Sequence, residues 1–180
     1  MQENGYIKFD CKWQQTPPVI PGHIFKKLNP WRNNLYDLNL IGVYENGIGF
    51  GNISVSLNNT NSFYISGSAT GAIKETGTEH YAFVQSFNLN KNLVNCTGPV
   101  KASSESLTHG AIYASAPRIT GIIHIHHKGM WEWALDRFPT SGKEWAFGTP
   151  EIAIEISRLL RDPEIIETGI IVMGGHESGL

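Results

Sequence analysis

The chain has 180 residues, enough for one domain with a substantial core and no need of disulfides or a structural metal. Its formal net charge is -2 and its basic residues form no block, which excludes the field of a nucleic-acid binder or a membrane-surface protein and leaves a small molecule or another protein as the expected partner. Cys11 and Cys96 match no metal or redox spacing, Met1 to Asp10 lacks a signal-peptide core, and no apolar run is long enough for a bilayer span, so a soluble, cytoplasmic protein is expected.

Residues 1–22 hold Pro17, Pro18 and Pro21 and little periodicity, and are read as an N-terminal arm without chemistry, packed on the surface or on a neighbour. Residues 23–180 are read as one domain. From His23 to Ile41 apolar residues recur at helical steps, which predicts an amphipathic helix with Trp31 and Leu38 in the core and Pro30 starting or kinking it.

The stretch Gly47 to Ser54, then Val55, Leu57, a turn at Asn58 to Asn61, and Phe63 to Gly67 predict a hairpin. If its strands are antiparallel, Gly51-Asn52 and Ser66-Gly67 meet at one end. Amides freed by glycine, with an Asn amide and a Ser hydroxyl, suit an anion such as phosphate; ordinary turn chemistry is the alternative.

His80 to Phe87 and Asn90 to Cys96 predict a second pair of strands. Ser103-Ser104-Glu105 opens a helix, with serine in the capping position and its start a second possible anion seat. His109, one turn after Glu105, fits hydrogen-bonded packing. In Gly121 to Gly129, His124 and His126 stand two residues apart in an apolar run, so on a strand both imidazoles share a face. Two neutral imidazoles make half a metal site and call for a third ligand; partly buried polar side chains are the alternative reading. Lys128 to Phe138 predicts a short helix, Thr149-Pro150 the capped start of another that Asp162-Pro163 stops, and Gly169 to Met173 a buried strand. Strands followed by alternating helices and strands predict an α/β sandwich with a largely antiparallel sheet.

In order and approximate spacing, Gly51-Asn-Ile-Ser54, Ser66-Gly67, Ser103-Ser-Glu105 with His109 and Tyr113, His124-Ile-His126, Phe147-Gly-Thr149 and Gly175-His176 resemble the class II aldolase/adducin family, from about Trp31 to the C-terminus. The resemblance implies a three-layer α/β/α sandwich around a mixed, mainly antiparallel sheet, and a homo-oligomer, with a tetramer favoured and the site at a subunit interface. It implies a divalent metal, usually Zn2+, on His124, His126 and His176. It also implies substrate phosphate at Gly51, Asn52, Ser66, Gly67, Ser103 and Ser104, with Glu105 as the catalytic acid that moves protons.

The implied activity is that of an aldolase-like lyase, making or breaking a C–C bond in a small phosphorylated sugar through a metal-stabilised enediolate. An epimerase, dehydratase or decarboxylase on the same site, and a non-catalytic adducin-like module, are the alternatives. Two departures stand out: the segment that carries the family's interfacial tyrosine acid has no clear equivalent, with Trp145 in that area, and only Glu177 to Leu180 follow His176.

Overall fold

The computed structural model describes residues 8–57 and 60–180, so the first part of the expected arm and the Asn58-Asn59 half of the expected turn lie outside the described residues. In chain order the elements are β1 (Asp10–Gln15), α1 (Gly22–Asp37), β2 (Gly42–Val43), β3 (Gly49–Phe50), β4 (Asn52–Ser56), β5 (Phe63–Ser66), β6 (Tyr81–Asn88), β7 (Leu93–Gly98), α2 (Ser106–Ser115), β8 (Gly121–His124), α3 (Lys128–Ala134), α4 (Pro150–Leu159) and α5 (Pro163–Thr168). Six strands form one sheet in the order β1-β7-β6-β5-β4-β8, in which only β1 and β7 run parallel. Among the described residues no helix is long and apolar enough to cross a membrane.

Alternation along β5 explains the layering. Phe63 and Ile65 point to one face, into a core with Leu107 and Tyr113 of α2, while Tyr64 points to the other, into a core with Leu28 of α1. Every residue of β5 is therefore buried. Ile112 of α2 then packs on Ile152, Ile156 and Leu159 of α4, Ile165 of α5 and Met173, which completes a three-layer α/β/α sandwich.

The expected arm supplies β1, whose backbone pairs with β7 from Asp10 to Gln15. That register also brings the sulfurs of Cys11 and Cys96, far apart in sequence, to 3.7 Å as free thiols.

Helix α1 departs from its expected pattern. Trp31 and Leu38, read as core, are 62% and 65% exposed, whereas Asn29 and Arg32 are buried. The polar residues go inward because the segment from Thr70 to Thr76 needs donors. The Arg32 guanidinium donates to the carbonyls of Thr70 at 2.8 Å and Lys74 at 3.0 Å, and also to that of Ile73. Asn29 donates to the Thr76 carbonyl at 3.0 Å and accepts from the Tyr81 hydroxyl at 2.9 Å. Pro30 neither starts nor breaks the helix; it and Lys26 are exposed, so the carbonyl deprived of its N–H partner can meet water.

The expected strand from Gly169 to Met173 reduces to an isolated bridge between Val172 and Thr140, with Ile170 37% exposed. Helix α4 ends at Leu159, and Asp162 caps α5, its carboxylate accepting the Glu164 N–H at 2.9 Å.

Candidate metal centre and cleft

Strand β8 delivers His124 at the register position opposite Asn52 of β4. His126 lies two residues on, with its backbone N–H donating to Leu40 O at 3.0 Å and an isolated bridge to Gly179. His176 arrives on the Gly174-Gly175 turn. A side chain at Gly174 would meet the Ser141 carbonyl at 2.2 Å and one at Gly175 the Trp145 carbonyl at 2.4 Å, so only glycine lets this turn press close enough to bring His176 in. The three histidines are each 5% exposed, and one ring nitrogen from each lies within 4.8 Å of the others.

Hydrogen bonding decides which nitrogens are free. The Leu180 carbonyl can only accept, so His124 Nδ1, 2.9 Å away, carries the proton and Nε2 keeps a lone pair. That Nε2 lies 3.0 Å from His126 Nε2, while His126 Nδ1 lies 2.7 Å from the Tyr44 hydroxyl. His176 Nδ1 is buried without a partner. Burial pushes all three away from the charged form, His124 to about 4, with the neighbouring histidines adding to the shift at His126 and His176. Neutral rings with converging nitrogens, one of them orphaned on His176, fit a divalent cation with three protein ligands.

Glu105 sits just before α2 and is 4% exposed, with Oε1 unpartnered. Desolvation raises its carboxyl to about 7, with the nearby Lys8 ammonium pulling the other way. Lys8, in the stretch read as having no chemistry, donates to Phe147 O at 3.0 Å and stands 3.6 Å over the Phe147 ring. Phe147 in turn stacks on His176, with ring centroids 4.5 Å apart. A lone lysine in a proline-rich arm carries no local signal of this; the parallel pairing of β1 with β7 places it.

A cleft of about 250 Å³ joins these parts. Gly51, Asn52, Gly67, Ser103 and Ser104 line it together with Glu105 and the three histidines. Gly51 adopts φ +72°, and a side chain there would meet backbone oxygens of Leu40 at 2.9 Å and His124 at 3.0 Å, so glycine is required. Asn52 Oδ1 is buried and unpartnered. Ser66 is not among the lining residues, since its hydroxyl accepts the Ile53 N–H at 3.1 Å between β4 and β5.

The expected serine cap is also different. Ser103 Oγ accepts the Glu105 N–H at 3.3 Å and so orders the approach to α2, while Glu105 holds the capping position without a side-chain cap bond. Thr149 likewise donates to Ala146 O at 2.7 Å instead of capping α4. His109 is packing: its Nδ1 is 2.7 Å from Ser54 Oγ, which is 2.6 Å from the Tyr113 hydroxyl. His127 is exposed, and its Nδ1 accepts the Met130 N–H at the start of α3. Sequence reasoning passed over Tyr44 and the wall formed by Ser68 to Ala72, neither of which carries a motif.

Fold and site together define an α/β/α sandwich with a three-histidine centre beside a buried carboxylate. Residues 45–170 match the Class II Aldolase and Adducin N-terminal domain, and the chain belongs to that family. Among solved structures, L-fuculose 1-phosphate aldolase shares the fold with a TM-score of 0.63 at 16% identity, covering 91% of this chain and 78% of the other. YgbL from Klebsiella pneumoniae, a candidate aldolase/epimerase/decarboxylase, is similar with a TM-score of 0.61 at 14% identity, covering 88% of this chain and 77% of the other. The Escherichia coli YgbL gives 0.59 at 13% identity, with coverage of 88% and 77%. No curated protein matches the chain.

Proposed function

We propose that this chain is a divalent-metal-dependent, aldolase-like lyase acting on a small phosphorylated sugar, with Zn2+ held by His124, His126 and His176. The observation that carries the reading is the convergence of three neutral, buried ring nitrogens and a buried, incompletely partnered Glu105 on one cleft. A divalent cation supplies stabilisation of negative charge on a carbonyl oxygen. Glu105 moves the proton at the neighbouring carbon, for which a carboxyl held near neutrality by burial is well matched. The phosphate is received by Gly51, Asn52, Gly67, Ser103 and Ser104, with Ser66 ordering the base of that seat through Ile53. We place the enzyme in the cytoplasm as a homo-oligomer, a tetramer favoured; the exposed Trp31 on α1 and Leu38 just past its end suit an interface between subunits.

Elemental analysis after metal-supplemented purification is expected to find about one equivalent of divalent cation per chain. A trace amount removes the basis of the reading. Incubation with phosphorylated ketoses is expected to release an aldehyde and dihydroxyacetone phosphate. Isomerised or decarboxylated product without cleavage assigns the same centre to the other chemistry that the YgbL resemblance suggests, and dehydrated product assigns it to a dehydratase. Asn52→Leu is expected to weaken a phosphorylated ligand by about 10-fold or more, the cost of one lost hydrogen bond to a charged group, and its dephosphorylated analogue much less. Equal weakening of both argues against a phosphate seat.

A further inference from the structure

Tyr44 lies between β2 and β3, where its N–H donates to Ile48 O at 2.9 Å and its carbonyl accepts the Gly47 N–H at 2.8 Å. Its ring packs on Phe50 with centroids 4.5 Å apart, and the two aromatic rings stand 6.0 Å and 5.5 Å from the ring of His126. The hairpin thus fixes the plane of one histidine and brings a single hydroxyl to it, 2.7 Å from Nδ1.

The two ring nitrogens of His126 face different partners. Nε2 turns to the shared centre, 3.0 Å from His124 Nε2, and Nδ1 turns to the Tyr44 hydroxyl. A cation ligated through Nε2 would leave the ring proton on Nδ1, where the Tyr44 oxygen can accept it. His126 is 5% exposed, so water does not readily take the hydroxyl's place.

We propose that Tyr44 is a positioning residue for the metal centre, holding the His126 ring with Nε2 turned to the cation. Two ligands are then held by unlike partners, His124 by the Leu180 carbonyl and His126 by the Tyr44 hydroxyl. The inference rests on the metal-site reading above and goes beyond it by naming a group outside the ligand set that orients a ligand.

Tyr44→Phe keeps the ring stacked on Phe50 and removes only the hydroxyl. In competition with a chromophoric chelator, its affinity for Zn2+ is expected to fall about 10- to 100-fold, the usual consequence of losing the hydrogen-bond partner of a ligating histidine. Phe50→Leu, which loosens the same packing but keeps the hydroxyl, is expected to stay within a few-fold of wild type. In two-bond ¹H–¹⁵N correlation spectra of the Zn2+-loaded protein, wild-type His126 is expected in the Nδ1–H form, with its Nδ1 resonance moved in Tyr44→Phe. Equal Zn2+ affinity in Tyr44→Phe and wild type, or the Nε2–H form in Zn2+-loaded wild type, overturns the inference and leaves the metal site standing. Failure of the wild type itself to bind Zn2+ overturns the metal site and the inference with it.

Discussion

Glu105→Gln is expected to keep its metal and lose between about 10² and 10⁴ of its turnover, the range that a positioned proton carrier contributes. The amide has nearly the shape of the carboxyl, so the cleft and the three histidines are undisturbed. It cannot exchange a proton near neutral pH. A variant that turns over at the wild-type rate shows that another group carries the proton. The same substitution has a second readout, because burial raises the Glu105 carboxyl from its ordinary 4.5 to about 7. The folded state holds this proton more tightly than the unfolded chain, so wild type loses stability from Glu105 as the pH rises from 4.5 through about 7. The glutamine variant does not. The difference in melting temperature between the two chelator-treated proteins is therefore expected to grow in the variant's favour across that window and level off above it. The buried histidines, whose lowered affinities for protons act in the opposite sense, are common to both proteins and largely cancel in the difference.

Arg32→Ala is expected to cost about 3 to 5 kcal/mol, because buried carbonyls lose charge-assisted donors and a large buried volume is vacated. For a domain of this size that is a fall of roughly 10 to 15 °C in melting temperature. The loss should reach the cleft as well. The carbonyls of Thr70 and Gly71 face Arg32, and Thr70 to Ala72 line the cleft wall, so the variant should also bind ligand more weakly. Arg32→Lys is expected to recover only part of the stability, since a single ammonium cannot reproduce the planar fork that serves several carbonyls at once. A cost below about 1 kcal/mol in urea titration would mean that water replaces the guanidinium at those carbonyls.

Arg32 also marks where pattern reading failed. In α1 the apolar spacing predicted a helix correctly and its buried face incorrectly, because periodicity assumes that the inward stripe is the apolar one. Here the neighbouring segment from Thr70 to Thr76 presents backbone carbonyls and the Thr76 hydroxyl instead of apolar side chains, and Asn29 and Arg32 answer them while Trp31 and Leu38 turn outward. Gly169 to Met173 failed for a related reason. An apolar run reports burial propensity, but forming a strand needs a continuous neighbour with free backbone groups, and here the pairing stops at a single bridge between Val172 and Thr140, with the Met173 N–H going instead to Gly179 O.

What the sequence determined by itself is what local geometry can determine. Strand period put His124 on one face of β8, glycines marked the turns at Gly51 and Gly175, the order of elements implied the layered fold, and Pro150 began α4. The short motifs in register identified the family. Tertiary structure decided what those residues can do. It brought His176 to the two histidines from far along the chain, buried Glu105 enough to hold its carboxyl near neutrality, carried Lys8 to Phe147, and set Tyr44 against His126. Proton affinity and ligand readiness depend on the partners and the solvent within a few ångströms of an atom, and it is long-range packing that supplies the partners and excludes the solvent.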